Sequence, residues 1–266
     1  MPRLGEIEKS PPLKTIFGVL MIIAALGVLA GIGFYNFKLS LEPGLTDEFC
    51  PVDGPRKHLA ILIDTTDPLK LTHLQRTKQI IDTKIKSVQV GTRVSFSTVN
   101  PDSGIRESAF FSICKPPSAE DTSYVSENRR LVQEKYEKEF KRPVEYTLSR
   151  LLTIPEAPSS PIMEALQEFA SRIPEFTTTD RPRELVIMSD LLQHSDSFSF
   201  YRGGTWRTFS DAGGPERFGL AFKNVDITIL RIPRVVNMAS IVDDFWVRYL
   251  NAQGFASVNY TTIGDL

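Results

Sequence analysis

What the chain has little of narrows the field first. Its 266 residues include only two cysteines and three histidines. Two thiols cannot build a disulfide-framework miniprotein or a four-thiolate zinc site. His58, His73 and His194 are too scattered for an HExxH cluster. An excess of one charge is also missing: 31 Lys and Arg stand against 32 Asp and Glu, a net charge of −1. That balance excludes the basic surface a nucleic-acid partner requires. The chain carries no GxSxG elbow, P-loop or GxGxxG. What it does hold, 41% hydrophobic and 24% charged residues, suffices for a folded core.

Charge is absent again from Thr15 to Phe37, a run of 23 residues. A bilayer core of about 30 Å needs roughly 20 apolar residues in a helix, so the run can span it. A cleaved signal has a shorter apolar region, about 7–15 residues, ending in an A-x-A pattern. This run ends instead in Gly33-Phe34-Tyr35-Asn36-Phe37, with aromatics where an interfacial belt sits. Arg3, Lys9 and Lys14 precede it, while only Lys38 follows closely, before Glu42, Asp47 and Glu48. Positive residues stay inside. The expected organisation is therefore a cytoplasmic tail (1–14), a transmembrane helix (15–37), a linker (38–57) and an exported domain (58–266). In a bacterium this is a single-pass inner-membrane protein with a periplasmic domain. Gly27 and Gly31 form a GxxxG pair that lets two helices approach, although glycine is common in membrane spans generally.

Beyond the linker, with its turn signals Pro43-Gly44, Pro51 and Asp53-Gly54-Pro55, strands and helices alternate. His58–Asp64 reads as a buried strand. Thr72 with Gln75 makes a capping box for a helix whose apolar face is Leu74, Ile81, Ile85 and Val88. Gly91 ends that helix, and Arg93–Val99 is the next strand. A turn at Pro101-Asp102-Ser103-Gly104 returns it as an antiparallel strand, Ser108–Cys114. A charged helix from Glu127 is interrupted at Pro143. Pro161 opens another, with the stripe Ile162, Ala165, Leu166, Phe169 and Ile173. Strands at Glu184–Ser189 and Val225–Ile232, a helix at Ser240–Ala252 and an edge strand at Ser257–Thr262 complete the order. The fold class is α/β, a doubly wound and mostly parallel sheet with one antiparallel edge strand. In such a sheet the third strand finishes at the end where the first two begin. That places Cys114 beside Cys50, and an oxidising compartment permits their disulfide.

Ligands of open α/β sheets bind beyond the carboxyl ends of the strands. There the chain places Asp64-Thr65-Thr66-Asp67-Pro68, the segment Ser159–Leu166, and Ser189-Asp190-Leu191-Leu192. Hydroxyls and carboxylates from three loops are oxygen ligands suited to a hard cation, Mg²⁺ or Ca²⁺. The bland alternative is that Asp64 and Asp190 cap loops and helix starts.

The element order, together with ILIDTTDPL, SSPIMEAL and LVIMSDLLQHS, resembles the von Willebrand factor A domain over residues 56–262. The resemblance implies a metal-ion-dependent adhesion site made of a DxSxS motif, a threonine on a second loop and an aspartate on a third. Asp64 and Thr66 match the first, Ser160 stands in the threonine position before proline, and Asp190 is the third-loop aspartate. Pro68 departs from the pattern, since one hydroxyl is missing. The implied activity is protein binding, with an acidic group of the partner completing the ion's coordination.

Phe198, Phe200, Tyr201 and Trp206, in a long loop at 193–218, are either anchors for that partner or the interior of a small subdomain. Two other functions stay open. One is a metal-independent scaffold of the same fold. The other is a phosphohydrolase, for which Asp64 and Asp67 are spaced one residue too far apart for the DxD pattern. The preferred reading is a non-catalytic binding module.

Overall fold

The computed structural model describes residues 13–40, 44–101, 105, 109–121, 128–153, 157–219, 222–234 and 236–264. The Asp102-Ser103-Gly104 turn, Ser108, Glu127 and most of the N-terminal tail lie outside them. The chain divides into two units, residues 1–44 and 45–266.

Among its described residues the first unit holds one helix, α1 (Leu13–Ser40). Its stretch Ile16–Tyr35, of 20 residues and mean hydropathy 2.6, is long and apolar enough to cross a membrane. Around Gly27 and Gly31 no atom lies within 4 Å of where a Cβ would sit.

The second unit is built on six strands: β1 (Lys57–Ile63), β2 (Thr92–Thr98), β3 (Phe111–Cys114), β4 (Arg183–Ser189), β5 (Val225–Arg231) and β6 (Ser257–Thr262). Their order is β3-β2-β1-β4-β5-β6. Only β3 runs antiparallel to its neighbour. The central strands are apolar at successive positions because both faces of the sheet are covered. Leu59, Ile61 and Ile63 pack with Ile81 and Ile85 of α2 (Leu71–Ser87), and with Val144 and Leu148 of the helix around residue 145. Ala60 and Leu62 face the other layer, where Leu166 and Phe169 of a later helix meet Phe245 and Trp246 of the last one. This is the α/β architecture the sequence implied, a mostly parallel sheet with one antiparallel edge strand.

Several local expectations are corrected. The N-cap of α2 is Lys70, which makes no side-chain capping bond, so the Thr72–Gln75 box does not form the helix start. The buried face of α2 begins with His73 and Thr77 rather than Leu74. The C-terminus of α2 is instead held from outside. Buried Lys115 donates Nζ–H bonds to the carbonyls of Lys86 (2.9 Å) and Val88 (2.7 Å), a cation on carbonyls that the helix leaves unpaired.

Pro143 does not interrupt its helix. α3 (Arg129–Tyr136) runs through a π-helical turn, Glu137–Lys141, into α4 (Arg142–Leu151), with Pro143 in its first turn. The wide turn falls where the missing N–H and the bulk of the ring would otherwise break the ladder. The remaining helices are α5 (Ile162–Arg172), α6 (Trp206–Asp211), α7 (Gly214–Arg217) and α8 (Ala239–Gln253).

The second half of the expected linker belongs to the folded unit. Leu45 bridges to Pro51, and Arg56 N–H bonds the Gly91 carbonyl at 2.9 Å. Gly91 has φ +79°, and a Cβ there would stand 3.0 Å from Arg56 and 3.2 Å from Pro51, so glycine suits both the turn and the close approach. Cys50 and Cys114 form the anticipated disulfide, bridging 64 positions of sequence. The Cys114 N–H also bonds the Glu48 carbonyl at 2.9 Å.

Candidate ligand site at the carboxyl edge of the sheet

β1 and β4 are neighbours in register, Ile63 beside Met188. The residues that follow them therefore emerge together, and both predicted acids do. Buried Asp64 is the hub. Its Oδ1 accepts from the Thr66 N–H (3.1 Å) and the Thr66 hydroxyl (2.6 Å). Its Oδ2 accepts from the hydroxyls of Ser160 (3.1 Å) and Ser189 (2.8 Å). Thr66, Ser160 and Asp64 thus meet as the sequence pattern anticipated. Ser189 is an addition, and its signal was its place between a buried strand end and Asp190.

The three loops are tied to one another. Ala157 N–H bonds the Thr66 carbonyl at 2.9 Å, and Ser160 and His194 exchange backbone bonds of 2.8 and 2.9 Å. Buried Gln193 accepts from the Met163 N–H (2.9 Å) and donates to Glu164 (2.9 Å), serving the first turn of α5. Leu191 turns the chain sharply out of β4 with φ +68°. A leucine there stores strain of order 1–3 kcal/mol. Two bonds offset it: the Leu191 N–H on Ser189 Oγ, and Trp246 Nε1–H on the Leu191 carbonyl, each 2.8 Å.

Asp190 accepts from the Leu192 N–H at 3.0 Å through Oδ1 and from Arg234 Nε at 3.1 Å through Oδ2. Arg234 also donates through Nη2 to the Pro68 carbonyl at 2.7 Å. Burial, then the negative charge of Asp64, push the Asp190 carboxyl up to about 6, with the Leu192 N–H and Arg234 pulling the other way. Sequence reasoning missed Arg234. It stands just past the carboxyl end of β5, where the rule that located the other three loops would have pointed.

Asp64, Asp67, Asp190 and Arg234 line a crevice too narrow to admit a water molecule. Beside it a hollow of about 220 Å³ is rimmed by Thr66, Ser160, His194 and Tyr201. Both oxygens of Asp64 are already filled by donors, and Asp190 already faces a cation. The third position of the DxSxS pattern offers only the Pro68 carbonyl, which Arg234 holds. Among the described residues no group of three His, Cys, Asp or Glu side chains is arranged to hold a metal ion. As placed, this donor set does not fit Mg²⁺ or Ca²⁺.

The aromatic loop is corrected in part. Phe198 stacks on Phe245 at 4.6 Å between ring centroids, and Phe200 meets the same ring edge-on at 5.2 Å. Both are buried, so they serve as interior of the α6–α7 subdomain and not as docking anchors. Trp206 is half-buried against Phe209 and Phe245. Tyr201 alone of the four is exposed, its ring against His194.

Replacing Asp64 by Asn would test the hub. An amide nitrogen would face two donors where an oxygen stood, at a cost of about 2–3 kcal/mol from donors left unpaired. Chemical denaturation should show that loss, and an unchanged midpoint would remove Asp64 from its central place.

No protein-family model and no curated protein matches the chain. Solved structures with some likeness include the PilB minor pilin from Streptococcus sanguinis, at 10% identity and a TM-score of 0.46, covering 81% of this chain. The chain spans 59% of that protein's length.

Proposed function

We propose that this chain is a membrane-anchored protein-binding module of von Willebrand factor A type, with its N-terminus in the cytoplasm and its folded domain in the periplasm, acting in an envelope protein complex. The anchor reading is supported by the apolar length of α1 and by the basic residues that precede it. The observation that carries the binding reading is the convergence of Asp64, Thr66, Ser160 and Asp190 from three loops onto one edge, beside an open hollow. The hollow at Tyr201 shares Ser159 and His194 with a larger polar cleft lined also by Glu164, Glu168, Asp196, Arg202 and Arg217. A partner offering an acidic group beside polar main chain suits this mixed lining. The buried hydroxyls donate their protons to Asp64, an arrangement that fixes the geometry of the three loops.

Site-specific photocrosslinking in native membranes tests the proposal. A crosslinker at Tyr201 is expected to capture a protein that one at Asp53, at the opposite end of the sheet, does not. Equal capture at both positions, or none at Tyr201, sinks it.

A further inference from the structure

We infer that Arg234 is the resident cation of this edge, standing where the resemblance calls for a divalent metal, so that an incoming acidic group meets a guanidinium. Both clauses rest on the proposed function, the first through the von Willebrand factor A resemblance and the second through the acidic partner.

The guanidinium spans the two corners that an ion would have to join. Its Nε holds Asp190 Oδ2 at 3.1 Å, and its Nη2 holds the Pro68 carbonyl at 2.7 Å. Those are the third-loop acid and the DxSxS position whose hydroxyl is missing. One cation thus explains two features of the chain, the proline in the motif and the pairing of Asp190. The backbone is prepared for it. Ile232 N–H bonds the Ser189 carbonyl at 2.9 Å, locking the exit of β5 against the exit of β4. Pro233 then restricts φ immediately before Arg234.

Among the described residues the guanidinium is the one cation of this crevice, whose acids are Asp64, Asp67 and Asp190. The two bonds occupy two of its five N–H groups. The Arg234 side chain is 28% exposed while that of Asp190 is 4% exposed, so the guanidinium is the accessible member of the pair. A planar fork with free N–H groups is well shaped for a carboxylate.

Calorimetric titration of the full chain in zwitterionic detergent with MgCl₂ and CaCl₂ tests this without any partner. The wild type should give no saturable heat and no thermal shift up to millimolar cation, the weak end of the range for extracellular calcium modules. Arg234→Gln should gain binding of one equivalent, and adding Asp190→Asn should abolish the gain. Saturable uptake of one equivalent by the wild type, weakened by Asp190→Asn, overturns the inference. So does an Arg234→Gln protein that is folded by circular dichroism yet as silent as the wild type. Should Arg234→Gln fail to fold, the wild-type titration alone decides. The crosslinking result at Tyr201 can fail while this one holds, and the reverse.

Discussion

Replacing both Cys50 and Cys114 with serine should lower the stability of the folded domain by about 4 kcal/mol. The bond joins residues 64 apart. Removing such a constraint returns to the unfolded chain the conformational freedom of a long loop, which the chain-entropy relation puts at about 4 kcal/mol. In a domain of this size that corresponds to a fall in melting temperature of about 10 °C. Native contacts limit the damage. The Cys114 N–H remains bonded to Glu48, and Arg93 remains paired with the Glu48 carboxylate at 2.8 Å. The double mutant should therefore fold with an unchanged circular dichroism spectrum. Guanidinium titrations of oxidised, reduced and serine forms provide the measurement. A reduced protein as stable as the oxidised one would mean that residual structure already holds Cys50 and Cys114 close in the denatured chain.

A second large effect is expected on acidification. His58 sits in β1 between Arg93 on β2 and Arg183 on β4 in direct register. It is 1% exposed, and neither ring nitrogen has a hydrogen-bond partner. Burial first, then the charges of Arg93 and Arg183, lower its pKa from 6.5 to about 4. The unfolded chain therefore binds a proton between these limits that the native domain refuses. Stability is fully present above pH 6.5 and declines as pH falls through that window, by about 3 kcal/mol near pH 4. Nearby carboxylates titrate over part of the same range, so the comparison must be with a variant. His58→Leu retains the packing against Phe176 and removes the proton. Its unfolding free energy should change by about 3 kcal/mol less than that of the wild type between pH 7.5 and 4. Parallel pH profiles for the two proteins would place the acid sensitivity elsewhere.

The parts of this fold legible from sequence are those ruled by periodicity. Leu59–Ile63 and Leu185–Met188 are apolar without alternation, which only a sheet covered on both faces tolerates, and the stripe Ile162, Ala165, Leu166 and Phe169 admits one buried helical face. Topology then carried further than any motif. The antiparallel return of β3 is what placed Cys114 near Cys50. Asp64, Thr66, Ser160 and Asp190 came together because parallel strands deliver their exits to one edge.

What stayed hidden depended on long-range partners. A local signal at Thr72 and Gln75 lost to tertiary placement of α2, whose far end is capped by Lys115 from a different segment. Aromatic clusters look alike whether they face solvent or one another, so Phe198 and Phe200 could be sorted only once Phe245 was placed beside them. Arg234 has no motif. Its meaning arises from Asp190 and Pro68, more than forty and more than a hundred and sixty positions away, as the separations of 44 and 166 in its two contacts record.

The Cys50–Cys114 link also has a mechanical consequence. Tension arriving along the chain from the Leu45 side reaches a fork at Cys50. One branch follows the backbone through Gly54 to Lys57 and the centre of the sheet, while the other passes straight into Cys114 at the rim strand. The rim strand is short, paired over only four residues, so a pull shared in this way tugs on the edge of the sheet as well as on its middle. Reduction would send most of the force through β1, which is held by neighbours on both sides, and leave the rim tied to the incoming chain by the Cys114 N–H bond to the Glu48 carbonyl.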